Sequence, residues 1–294
     1  GDDLCDIEDL GGETCVTQGF DNGTLACNPT CDGFVTDGCG VCGNGVIDGS
    51  ESCDAALLGG ETCASLGLMG GELGCSPSCQ FDFANCDIPG ALFGSDTHYN
   101  GFSLTPPVLP CDDISATGTP TGLTDDSYQG APLGFTFEMY GTPFTDIFIA
   151  SNGTAYFGTD ANLNLSNSCF PGDTPYVVDD NILAVFWDDL NPSTGASEVY
   201  YETLGPVGAR RFVVQWDTAH FSGDASDLIR VQAMFHEDTG GMTVCYPDTL
   251  SAGNIGDNGA EATSGIQGSI TNGFNFSCNT PDLTSGLQLI YLPI

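Results

Sequence analysis

RRFVVQWDTAHFSGDASDLIRVQAMFHEDTGGMTVCY, residues 210–246, decides the fold. Phe212, Val214 and Trp216 recur at every second position, and after a turn rich in Ser, Gly and Asp the pattern resumes at Ile229, Val231, Ala233 and Phe235. A period of two places each set on one face of an extended strand. Asp-Thr-Gly-Gly at 238–241 then supplies the residues of a hairpin turn. Outward from this stretch the theme continues in Phe135, Phe137 and Met139, in Ile147 and Ile149, in Val199 and Tyr201, and in Leu287, Leu289 and Tyr291. NILAVFW, 181–187, is apolar on both faces and reads as a central strand, while Ser-Asn-Gly at 151–153 marks another tight turn. No segment shows a helical period. Residues 90–294 are therefore expected to form an all-β, antiparallel sandwich with a substantial core. Its last segment, GLQLIYLPI (286–294), is apolar on both sides and must be covered, either by its own sheet or by the open edge of a neighbour's.

Upstream of that region the cysteines take over. Eleven of the fifteen precede residue 87, and they duplicate: Cys5, Cys15, Cys27 and Cys31 return 48 residues later as Cys53, Cys63, Cys75 and Cys79, and Cys39 returns one position early as Cys86. GGETC at 11–15 returns at 59–63. Spacing held this tightly through differing loops means that disulfides rather than an apolar core fix the fold, in an oxidising compartment. The expected organisation is a first repeat at 1–41, a second at 42–89 and the sandwich at 90–294. Cys42 gives the second repeat six cysteines and hence three internal bridges, while the matching position of the first repeat falls six residues before Gly1. Cys111, Cys169, Cys245 and Cys278 can pair among themselves. All fifteen are assigned to disulfide chemistry. The odd total leaves open a partner outside the chain, a free thiol, or a bridge to a neighbouring subunit. CGVC at 39–42 has redox spacing but straddles two repeats without a βαβ pattern, and Cys27 and Cys31 lack a nearby histidine for zinc.

Charge bounds the partners. There is no lysine; Arg210, Arg211 and Arg230 stand against 40 acidic residues, for a formal charge of -37. Such a chain repels itself unless salt or divalent cations intervene, and it has no basic surface for nucleic acid or an anionic membrane. No run approaches 18 apolar residues, and the chain opens on GDDLCD rather than a basic and apolar leader, so a secreted or surface-deposited product is expected. Calcium is the expected cation. Its candidate ligands are the acidic doublets at strand ends, Asp125 with Asp126 and Asp188 with Asp189 first, and Asp112–Asp113 and Asp179–Asp180 beside them.

Catalytic motifs are missing. Asp-Thr-Gly at 238–240 occurs once, where an aspartic protease needs two carboxylates sharing a proton. His236–Glu237 lacks the second histidine of a zinc protease, since Gly240 stands there, and no GxSxG elbow exists. No enzyme is expected. Asn22, Asn152, Asn164 and Asn275 open N-x-S/T sequons.

Two resemblances follow from these residues. CGNGVIDGSESCD, 42–54, resembles the cysteine-rich repeat of secreted myxobacterial proteins, whose signature runs CGNG, a few residues, GE, one residue, CD. Gly43, Asn44, Gly45, Glu51, Cys53 and Asp54 match it, with Ser50 separating Gly49 from Glu51 as a small departure. The resemblance implies an extracellular, disulfide-stapled spacer without catalysis. The stretches 124–158, 180–190, 210–221 and 231–246 resemble, in order and spacing, the nidogen-like domains of bacterial secreted and surface proteins. That resemblance implies a jelly-roll or nidogen-like sandwich serving as a non-catalytic adhesive or assembly module.

The function expected is a structural subunit of an extracellular filament or surface layer, self-associating into a homopolymer. The alternative is a monomeric adhesion or glycan-binding module with a glycan or cell-surface partner. It requires an aromatic concavity, for which Trp187, Trp216, Tyr200 and Tyr201 are the candidates.

Overall fold

The computed structural model describes residues 5–6, 10–20, 22–23, 25–48, 51–63, 65, 70–76, 79, 81–82, 85–87, 90–105, 107, 111–158, 166–172, 181–221, 223–251 and 256–294. The chain divides into two compact units, Gly1–Pro89 and Gly90–Ile294.

Among the described residues the first unit carries only two-residue strands: β1 (Asn22–Gly23), β2 (Ala26–Cys27), β3 (Phe34–Val35), β4 (Cys39–Gly40), β5 (Gly70–Gly71), β6 (Gly74–Cys75), β7 (Phe81–Asp82) and β8 (Cys86–Asp87). The pairings β1–β4 and β2–β3 repeat as β5–β8 and β6–β7. Bridges repeat with them. Cys5–Cys27 matches Cys53–Cys75, and Cys15–Cys39 matches Cys63–Cys86. The second repeat closes a third bridge, Cys42–Cys79. Cys31, which occupies the position of Cys79 in the first repeat, is unbridged: its assignment to a disulfide finds no partner among the described residues, where no cysteine stands as Cys42 does in the second.

Asp54 accounts for the Cys-Gly-Asn-Gly opening of that second repeat. One carboxylate oxygen accepts the N–H groups of Gly43 (2.6 Å) and Asn44 (3.0 Å), and the other accepts that of Gly45 (2.9 Å). Converging three successive amides on one anion requires left-handed backbone, which Gly43 and Gly45 supply at φ 88° and 90°.

The second unit is built from β9 (Ala91–Ser95), β10 (Tyr99–Leu104), β11 (Thr119–Pro120), β12 (Tyr128–Met139), β13 (Thr142–Ala150), β14 (Thr154–Phe157), β15 (Asn181–Trp187), β16 (Leu190–Asn191), β17 (Glu198–Leu204), β18 (Arg211–His220), β19 (Ile229–His236), β20 (Met242–Asp248), β21 (Thr263–Ser269), β22 (Asn272–Cys278) and β23 (Leu287–Pro293). The helical content among the described residues is a single 3-10 turn at Asp257–Gly259. One sheet of nine strands runs β11-β17-β18-β19-β20-β23-β10-β9, with β16 extending β18, and a six-stranded sheet runs β12-β13-β14-β15-β21-β22. Every pairing is antiparallel.

The alternating residues of the sequence line the space between the sheets. Phe212, Val214 and Trp216 meet Phe135, Phe137 and Met139 in one core cluster with Ile229, Val231, Ala233 and Phe235. β15 is buried on both faces: Leu183 and Val185 join that core, while Ile182, Ala184 and Trp187 form an outer cluster with Phe170, which the Cys169–Cys278 bridge secures. Two buried aromatics with polar ends find partners across the sandwich. Tyr246 Oη donates to the Val185 carbonyl (2.7 Å) and Trp216 Nε1 to that of Ala150 (2.9 Å).

The chain's three arginines hold this sandwich at two places. Over the outer face of the larger sheet lies a strap, residues 111–114, joined to β20 by Cys111–Cys245. Arg211 pairs bidentately with Asp112 (2.5 and 2.9 Å), and Arg230 bridges Asp113 (2.7 Å) and Asp217 (2.7 and 2.9 Å). Ile114 donates its N–H to Gln215 Oε1 (3.0 Å), so the glutamine and aspartate that face outward from β18 are buried yet bonded. Arg210 works at the corner between the sheets. It forks onto Glu237, stacks over Phe135 (5.5 Å) and donates to the carbonyl of Gly134 on edge strand β12, beside a Leu133 carbonyl taken by the Thr203 hydroxyl (2.9 Å). Those caps occupy two backbone acceptors of the edge strand.

The C-terminal segment pairs within its own sheet. β23 lies between β10 and β20, with Tyr99 opposite Pro293, Leu104 opposite Gln288 and Tyr246 opposite Leu287.

Two predictions follow from this architecture. Deleting 287–293 splits the larger sheet and removes Leu287, Leu289 and Tyr291 from the core; the expected loss exceeds the roughly 5–15 kcal/mol that holds a domain, so the second unit should lose its β circular dichroism and aggregate. Glu237 is held down to about 2, first by hydrogen bonds from Arg210. A carboxyl depressed in the fold stabilises above its ordinary pKa, and that contribution fades as pH falls towards 2. Glu237→Gln should therefore lower the melting temperature at pH 7 and leave it nearly unchanged at pH 2.

Candidate metal centre

Three sequence motifs converge at one end of the sandwich. Asp125 and Asp126 precede β12, Ser151-Asn152-Gly153 turns β13 into β14, and Asp188 and Asp189 follow β15. The turn is the organiser. Gly153 has φ 72°, and a Cβ there would stand 2.0 Å from the Phe186 carbonyl oxygen, so only glycine fits. Its own carbonyl accepts the N–H groups of Val185 (3.0 Å) and Phe186 (3.1 Å), locking the turn to β15. Asn152, 2% exposed, then reaches both flanking motifs, its Nδ2 donating to Asp126 (2.9 Å) and its Oδ1 accepting the Leu190 N–H (3.1 Å). Ser127 and Ser151 exchange two further hydrogen bonds (2.8 and 3.0 Å).

The carboxylates that result are poorly neutralised. Oxygens of Asp125, Asp126 and Asp189 lie within 4.8 Å of one another. Two ligands each about 2.4 Å from one calcium ion can be no farther apart than that, so the trio fits a hard divalent cation. Burial raises Asp189 to about 6, with the charges of Asp125, Asp126 and Asp188 adding to it. Asp125 is also raised, first by burial and then by Asp126, and its Oδ1 is buried with no hydrogen-bond donor among the described residues. A cation at this corner would supply that oxygen's partner and offset the mutual repulsion.

The structure sorts the other candidates differently. Asp188 turns away from the trio to His220 (Oδ2 to Nδ1, 3.2 Å), and Gly256 lies so close to that pair that a Cβ would touch the imidazole at 2.6 Å. Asp112 and Asp113 are the arginine partners of the strap, so they are not cation ligands in waiting. Asp179 and Asp180 lie outside the described residues. In the first unit Glu51, Asp54 and Cys79 cluster, but the Cys79 sulfur is bridged and both Asp54 oxygens are taken by backbone amides. Sequence reading missed this role of Asn152, which it treated as a turn residue and a sequon; its signal was the short polar side chain inside a turn flanked by two acidic doublets.

Other expectations meet the same test. Trp187 and Trp216 are buried, Tyr201 packs inward against Phe212, and Tyr200 lies against the strap, so these four do not line an aromatic concavity. Alternation aimed both tryptophans into packed interior. Asp238-Thr239-Gly240 forms the β19–β20 turn, with Gly240 at φ 62°. His236 approaches the Thr243 hydroxyl (3.0 Å) and Glu237 binds Arg210. Asn152 is buried, Asn275 accepts the Phe170 N–H, and the Asn22 side chain and Asn164 lie outside the described residues.

Raising the Asp189 pKa means that the fold prefers its neutral form: that stability is full below about 4 and is lost as pH rises through 6. In chelator the melting temperature should therefore drop between pH 5 and pH 7, and millimolar calcium should restore it above pH 6. Asp189→Asn should flatten both responses, which thermal melts with and without calcium will read.

No curated protein and no solved structure matches this chain. A family model described as NIDO related does match, over residues 110–289, more than half of the sequence. The matched span takes in the strap, the acidic corner and the strands from β11 into β23. The chain belongs to the NIDO related family.

Proposed function

We propose that this protein is a non-catalytic structural subunit of an extracellular assembly, in which disulfide-stapled repeats carry a nidogen-related sandwich and divalent cations let like-charged copies meet. The observation that carries this reading is the fate of the basic residues. Arg210, Arg211 and Arg230 are the chain's whole supply of lysine and arginine, and all three are turned onto its own carboxylates. A surface with a formal charge of -37 then has no guanidinium or ammonium side chain to offer a neighbour's acids. Divalent cations would offset the repulsion between copies, and calcium suits oxygen ligands such as those of Asp125, Asp126 and Asp189.

Location follows from the same chemistry. Disulfides persist in oxidising surroundings, and the first unit depends on them; its repeats resemble those of secreted myxobacterial proteins. Among the described residues no helix is long and apolar enough to cross a membrane. The partner is a second copy of the chain, while nucleic acid and anionic membrane surfaces lack anything basic to bind.

Sedimentation velocity and electron microscopy of the purified protein test this reading. In millimolar calcium, large ordered species are expected, and a chelator should return them to monomers. A monomer under both conditions would overturn assembly and favour the adhesion module.

A further inference from the structure

The two repeats share a frame but differ by one bridge. Cys31 and Cys79 sit in the same left-handed turn, at φ 58° and 57°, each donating its N–H to the carbonyl three residues earlier, at Asn28 (3.0 Å) and Ser76 (2.9 Å). Asp6 follows Cys5 as Asp54 follows Cys53. In the second repeat both positions are covered: Cys79 is 0% and Asp54 1% exposed beneath the segment Cys42-Gly43-Asn44-Gly45, which is tied to one by a disulfide and to the other by three amides. In the first repeat, Cys31 is half-buried and unbridged within the described residues, and Asp6 is exposed.

We propose that the first repeat holds an acceptor site for a Cys-Gly-Xaa-Gly hook belonging to a further cysteine-rich repeat. The hook cysteine bridges to Cys31, and its next three amides turn onto the Asp6 carboxylate, as they do on Asp54. A carboxylate offers about four lone-pair sites, so it can take these donors beside any it already has. Two glycines are required because the amides converge only through left-handed backbone, near φ 90° in the occupied copy. Closure removes a hydrogen from each of two thiols. The two electrons and two protons pass to an oxidising disulfide such as oxidised glutathione, which becomes two thiols. The hook can be carried by the same polypeptide or by another, since the chemistry of the seat is the same for both.

The occupied copy supplies the probe. A peptide of sequence VCGNGVID, as at residues 41–48, is equilibrated with the protein in glutathione buffer, and the adduct at Cys31 is measured by peptide mapping. Its exchange constant should exceed by at least about tenfold that of the peptide with both glycines replaced by alanine, which resists a positive φ. Asp6→Asn should cut this preference several-fold. Equal exchange by the two peptides, or no adduct with either, would overturn the proposal. In protein secreted by its own cells, Cys31 joined within one polypeptide would migrate as a monomer without reductant, whereas a bridge to another would give a reducible dimer. Recovery of Cys31 as a free thiol would refute the site.

Discussion

Scarcity of positive charge governs this molecule. With three arginines against 40 acids, each guanidinium goes where a neutral donor could not serve. A planar fork can engage both oxygens of a carboxylate while its edge reaches a second acceptor, a fixed geometry that the point charge of lysine lacks. Arg230 thus joins the strap to β18 through Asp113 and Asp217, Arg211 repeats the contact at Asp112, and Arg210 joins Glu237 to the edge carbonyl of Gly134. Among the described residues, Asp125, Asp126 and Asp189 gather at one corner, and none of the three pairs with an arginine.

The two units solve the problem of stability in opposite ways. In the first repeat, the described apolar cluster holds Cys15, Leu25 and Cys39, with Leu10, Phe20 and Phe34 against it, too little to order a chain of that length. Bridges with separations of 22 to 24 residues supply what is missing, each about 3 kcal/mol when counted as lost freedom of the unfolded chain. The sandwich has a continuous core between two sheets, and its disulfides instead fasten irregular segments: Cys111 the strap, Cys169 the loop that places Phe170 on Trp187.

Much of this was legible in the sequence because it is local. Alternation at Phe212, Val214 and Trp216 reports which face a residue occupies, and the double-sided apolarity of 181–187 reports a central strand. The duplicated cysteines gave the repeats. What alternation cannot report is what lies opposite. Two adjacent doublets look alike in sequence, yet Asp112 meets Arg211 across 99 positions while Asp125 meets other carboxylates. Trp187 looks like a binding residue until the loop at Phe170 is laid over it. Asp54 reads as one position of a repeat signature, and only the fold shows three amides gathered around it.

The position of β23 sets an order of events. A chain made from its N-terminus delivers β10 and β20 long before Leu287–Pro293, so the larger sheet stays open until that segment has emerged. Cys111 likewise waits for Cys245, 134 positions on, and Cys169 for Cys278, 109 on. The early cysteines do not wait, since none of their partners is farther than 37 residues away. They can therefore be oxidised in pairs before the late thiols arrive to compete, and the spacing of the cysteines along the chain acts as a timetable for correct pairing.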